Sequence, residues 1–137
     1  AEGDVWVAVD PDGTILGTYT VGGYPWGLAF DGANIWVTIR GVNTVTKLRA
    51  SDGAMLGTFA VGSDPANIAF DGANIWVVNQ GSSDIYKLRA SDGTRIDRYY
   101  TSSTHVGANP IGIAFDGANI WVTNGFSGNG TGTVSKR

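Results

Sequence analysis

The chain has 137 residues, with 9 basic and 12 acidic side chains for a net charge of −3, and it holds 21 glycines, 5 tryptophans, one histidine and no cysteine. A hydrophobic fraction of 42% is enough for a core, so the composition is that of one folded domain rather than a disordered chain. It excludes disulfides, thiolate zinc sites and a cysteine nucleophile, carries no basic footprint for nucleic acid, makes a multi-histidine centre hard to build, and contains no apolar run near the roughly 20 residues of a membrane-spanning helix.

In chain order, residues 5–9 (VWVAV) read as an extra N-terminal strand, with residues 1–9 standing outside the repeats that follow. Residues 14–21 read as a strand and residues 22–26 as a link. Residues 27–30 form a short apolar strand, and the DGAN at 31–34 is a tight hairpin turn. Residues 35–39 are β-branched and aromatic, 40–43 are a turn, and 44–49 alternate Val45, Lys47 and Arg49 with Thr44, Thr46 and Leu48. A turn at 50–53, a strand at 54–61 and a link at 62–65 complete the unit. No segment shows an apolar stripe of helical period between caps, so almost no helix is expected.

The unit then recurs. AFDGANIWV occurs at residues 29–37, 69–77 and 114–122, with spacings of 40 and 45 residues. The second spacing holds a five-residue insertion near 102–109. KLRASDG occurs at 47–53 and 87–93, and V-G-x-x-P at 21–25, 61–65 and 106–110. Four short antiparallel strands in about 40 residues make the blade of a β-propeller. The expected fold is therefore all-β, with about three four-stranded blades. Residues 10–137 supply units 26–61, 66–101 and 111–137, the last completed by a strand equivalent to 14–21. A blade buries its faces against neighbouring blades, so Trp36, Trp76 and Trp121, with Phe30, Phe70 and Phe115, are expected to fill the space between them.

These residues resemble the YVTN-type propeller repeat, a cousin of the NHL and streptogramin-lyase propellers. The resemblance rests on Trp121-Val122-Thr123-Asn124, Trp36-Val37-Thr38-Ile39 and Trp76-Val77-Val78-Asn79, on Asn43-Thr44-Val45-Thr46, and on the V-G-x-x-P link. Leu48-Arg49 and Leu88-Arg89 depart from the Ile-Asp pair usual there. The resemblance implies a secreted or cell-surface propeller. The lyase relatives use His and Glu groups with a metal, whereas this chain has only His105, in the inserted loop, and Glu2.

Three blades are fewer than the four to eight of a closed ring. One expectation is a homo-oligomer in which two chains close a six-bladed ring, each donating its N-terminal strand to the last blade of the other. The alternatives are a piece of a longer chain and an open head-to-tail assembly. Residues 5–9 would compete with 133–137 for one place in such a ring.

Ligands of such a frame belong on the loop face that varies between repeats. Its candidate residues are Tyr24, Trp26, Arg40, Asp64, Asn67, Asn79, Gln80, His105, Asn109 and Asn124. Tyr24 and Trp26 flank Pro25, where they could stack on a sugar, meet another subunit or simply pack. Asp31, Asp71, Asp116, Asp52 and Asp92 are explained by turn chemistry, and the pair Asp10 and Asp12 is the best single candidate for calcium. Residues 125–132 read as a glycine-rich hairpin loop, because a phosphate loop needs a following helix, and 129–131 match a glycosylation triplet. No metal or cofactor is expected. The functional expectation is a non-enzymatic, self-associating propeller, a structural or ligand- or protein-binding module of the extracellular space or cell envelope. The alternatives are part of a secreted lyase-like or hydrolytic propeller, or a glycan-binding propeller.

Overall fold

The structure is a computed structural model that describes residues 5–9, 11–101, 109–127 and 131–137. The chain forms an arc of β-propeller blades. One sheet holds β3 (Pro25–Phe30), β4 (Asn34–Ile39), β5 (Thr44–Arg49) and β6 (Met55–Ala60) in that order. The next holds β7 (Pro65–Phe70), β8 (Asn74–Asn79), β9 (Asp84–Arg89) and β10 (Arg95–Tyr100). A third holds β11 (Pro110–Phe115), β12 (Ile120–Ser127) and β13 (Thr131–Lys136). Ahead of them, β1 (Val5–Val9) and β2 (Ile15–Thr20) make a two-stranded sheet. All pairings are antiparallel. Among the described residues the one helical piece is a single 3-10 turn at Arg40–Val42, where a plain turn was expected.

The registers explain why the repeat is so regular. Trp36 lies opposite Lys47 and Trp76 opposite Lys87, and Trp121 opposite Lys136 although more residues separate Asn124 from its partner Thr133 than separate Asn79 from Asp84. The DGAN turn ahead of each tryptophan places its glycine at φ of +98°, +99° and +100° at Gly32, Gly72 and Gly117, a region open to glycine at no steric cost. In the sheet centre, β4 and β8 are buried on both faces, which is why IWV runs apolar rather than alternating.

The core lies between sheets. Trp36 and Val45 of the first blade pack with Ile68, Ile75, Val77 and Leu88 of the second. Trp76, Val78 and Ile85 of the second pack with Ile120 and Val122 of the third. On the other side of the first blade, Val37, Ile39 and Leu48 are covered near Val21. The six repeated aromatics divide by position. Trp36 and Trp76 are 0% and 8% exposed, and Phe70 and Phe115 pack against the two inter-blade clusters. Trp121 is 39% exposed and Phe30 is 56% exposed. These two do not fill an inter-blade space in this chain, because each faces away from the neighbouring described blade.

Replacing Trp36 with alanine is expected to cost about 3–5 kcal/mol, as for other large buried aromatics. The same change at Trp121 should cost roughly half of that or less, since part of its surface is already wet. Urea unfolding of the two variants side by side checks the order.

Candidate functional site

Each near-invariant turn aspartate does two things at once. The Asp31 carboxylate accepts the amide N–H of Ala33 at 2.9 Å and of Asn34 at 2.7 Å, and its other oxygen accepts the Trp36 indole N–H at 2.8 Å. Asp71 repeats this with Ala73, Asn74 and Trp76, and Asp116 with Ala118, Asn119 and Trp121. Burial pushes the Asp31 and Asp71 carboxyls upward, but the indole and the two amides outweigh it and hold both below the usual 3.8. At Asp116 the indole N–H leads the same downward pull. Asp52 and Asp92 likewise accept from their own turns and from Arg49 and Arg89. Among the described residues no three His, Cys, Asp or Glu side chains gather as a metal site. Asp10 lies outside the described residues, so the Asp10 and Asp12 pair has no geometry here.

The variable loop face brings several of the candidates together. Arg40, the first residue of the 3-10 turn after β4, donates to both oxygens of Asp64, at 2.8 and 2.6 Å, and to the Gln80 side-chain oxygen at 3.0 Å. Its guanidinium also lies 4.7 Å from the centre of the Trp26 ring. The hydrogen bond from Arg40 leads in holding the Asp64 carboxyl below its usual range. The cluster therefore spans the first and second blades, and its charges are spent on each other. Asn67 donates to the Ile111 carbonyl at 2.8 Å, joining the second blade to the third. Asn109 accepts the Gly125 amide through its backbone. Tyr24 and Trp26 are both exposed, with Tyr24 beside Gly41. Trp26 occupies the place that Ala66 holds in the next repeat, where that residue is buried between blades. His105 lies outside the described residues.

Asn79 and Asn124 share one position in the repeat, the last residue of β8 and a place within the longer β12, and both are buried. Asn79 donates to Asp84 at 2.9 Å, and Asn124 donates to Thr133 and Ser135. Among the described residues the side-chain oxygens of both amides have no hydrogen-bond partner.

Two groups with structural work of this kind were not among the sequence candidates. Asp84 is fully buried and accepts from Asn79, from Ser82 at 2.9 Å and from Arg98 at 2.7 Å. Thr38 accepts the Gly27 amide at 2.8 Å and donates to the Ala66 carbonyl of the next blade at 2.6 Å. A threonine inside an otherwise apolar strand was the available signal for the second. Asp84 is unique among the repeats, so comparison between them gave it no weight.

Because the Asp71 carboxyl is depressed in the folded state, its stabilisation is complete above 3.8 and is lost as the pH falls through the lower native value. Asp71→Ala is expected to cost about 2–3 kcal/mol, from charge-assisted bonds to one indole and two amides. Asp71→Asn should flatten the loss of stability between pH 5 and about pH 2. Urea midpoints measured across that range check both.

No family model matches the chain, and no curated protein matches it either. Solved structures do. A hydrazine synthase of Kuenenia stuttgartiensis superposes with a TM-score of 0.84 at 20% identity, over 98% of this chain and 40% of that one. Sqt1 of Saccharomyces cerevisiae gives 0.71 at 12% identity, over 100% and 39%. BamB of Moraxella catarrhalis gives 0.63 at 21% identity, over 82% and 35%. The chain thus spans well under half the length of each of these structures. All are β-propeller proteins, and at these identities the likeness establishes the propeller fold.

Proposed function

We propose that this chain is a self-associating β-propeller scaffold of the YVTN type. It works as a structural or ligand- or protein-binding module of the extracellular space or cell envelope, without catalytic chemistry of its own. The observation that carries this reading is the pair of uncovered apolar faces at the two ends of the arc. Trp26, Leu28 and Phe30 stand exposed on β3, while Trp121 and Val134 stand exposed on the last sheet. Contiguous apolar surface of this kind is a hallmark of an interaction face. On the loop face, Arg40, Asp64, Gln80 and Asn67 are committed to bonds between blades. That supports a rigid frame more than a proton-transfer site. The location follows from the resemblance to surface propellers.

Light scattering on the purified chain is expected to give a mass above that of one chain. Leu28→Glu places a charge in the exposed face and should return the mass to one chain with an unchanged far-UV spectrum. A wild-type chain that stays single at all concentrations would overturn the reading.

A further inference from the structure

The blade junctions inside the chain show what the end faces are built to meet. Within the first blade, Trp36 of the second strand stacks on Phe59 of the fourth with ring centres 5.6 Å apart, and Trp76 stacks on Tyr99 at 5.6 Å in the second. The third sheet contributes the equivalent Trp121 and holds three described strands. Across the first junction, Ile68 of the inner strand closes over Trp36 and is 7% exposed. The residue at that place in the first blade is Leu28, which is 57% exposed.

The β1–β2 pair matches the two outer strands of a blade. Tyr19 lies opposite Trp6 as Phe59 lies opposite Val45, and Gly17 opposite Ala8 as Gly57 lies opposite Lys47. A Cβ on Gly53 would strike the Tyr19 ring, just as one on Gly93 would strike the Phe59 ring. So β2 already sits against the first blade as β6 sits against the second. The space that remains beside it, over Leu28 and Phe30, has the outline of two inner strands.

The last sheet supplies two inner strands, β11 and β12, and its third strand fits its place poorly. By register, Ser135 and Arg137 stand where Tyr86 and the buried Leu88 stand in the second blade. Ile85, Thr101, Val122, Ser135 and Arg137 line a cleft of about 190 Å³ there. By the β1–β2 register, β1 carries Val7 and Val9 at those two places.

We propose that the partner for both end faces is a second copy of this chain, joined by strand exchange. The β1–β2 pair of one copy adds to β12 of the other in place of β13. That makes a four-stranded blade in which Tyr19 of one copy stacks on Trp121 of the other. The new blade covers Leu28 and Phe30, and Thr123 donates to the Trp26 carbonyl of the other copy as Thr38 donates to Ala66. Each copy then owns three whole blades' worth of strands, and two identical junctions close a ring of six, within the usual range of four to eight. This inference rests on the self-association proposed above and names its partner, register and closure.

Light scattering and disulfide trapping test it together. The chain has no cysteine, so the variant Trp6→Cys with Thr123→Cys carries only the two introduced thiols, and each single variant, which should not trap, controls for pairing of like positions. The wild type should weigh twice one chain, and the variant should run as a covalent dimer after mild oxidation. Tyr19→Ala should weaken association by about tenfold, the weight of one aromatic stack. Deleting residues 131–137 should leave the dimer intact, whereas deleting 1–9 should abolish it. A single-chain mass for the wild type overturns the self-association and this inference alike, and leaves further blades of a longer polypeptide as the covering partner. A dimer that fails to trap, or that survives loss of residues 1–9 and dissolves without 131–137, overturns the exchange alone. A ladder of higher masses overturns the closed ring.

Discussion

A sheet that is apolar on both faces has to be covered on both faces, and every other feature of this chain follows from that constraint. The strand sequence IWV cannot be satisfied in a sheet with one wet side, since it places bulky apolar groups above and below. Stacking blade on blade is the arrangement that buries both faces with a repeated short sequence. The interior junction closes Trp36, Val45, Ile75, Val77 and Leu88 off from water almost completely. At the far end of the arc Trp121 and Val134, the equivalents of Trp36 and Val45, have no described blade beside them and are 39% and 62% exposed, whereas Val37 and Leu48 of the first blade stay covered near Val21.

Burying an indole also buries its N–H, and that N–H needs an acceptor. The turn aspartate five residues earlier in sequence supplies it in all three repeats. The same carboxylate closes the hairpin by accepting two amides. Turn formation and tryptophan orientation are therefore one event, which explains why DGANIW recurs as a block while the outer strands drift. Asp52 and Asp92 are engaged differently, each by its own turn and by Arg49 or Arg89.

The frame was legible because its signals are local and repeated. Turn chemistry, strand period and the 40-residue spacing sit on the surface of the sequence, and the register of each hairpin follows from its turn. The loop face was less legible for a physical reason. Arg40, Asp64 and Gln80 lie as many as 40 residues apart and meet because two blades bring their corners together. Nothing in one repeat announces that meeting. Tyr24 and Trp26 read as a possible ligand platform from sequence. The structure puts Trp26 at a position that is interior in the next repeat, where the side chain is the small Ala66. Whether such a position is open or interior is decided by the neighbouring blade and not by the residue, and in this chain Trp26 is 59% exposed.

Variation between repeats then acquires a direction. Where Ile39 ends β4 and Asn79 ends β8, Asn124 takes the equivalent place within the longer β12, and both asparagines are buried, each with one amide oxygen unpaired among the described residues. Asn79 finds Asp84, which in turn draws in Arg98, whereas Asn124 turns to two hydroxyls across the β12–β13 pair. A buried carboxylate needs its partners close and fixed, so the second blade is tied firmly to its own outer strand. The third blade holds β13 with neutral hydrogen bonds between side chains, which are the weaker kind. The strand the registers would exchange is thus the one with the lighter side-chain tie, and the blade at the centre of the arc is the one locked by charge.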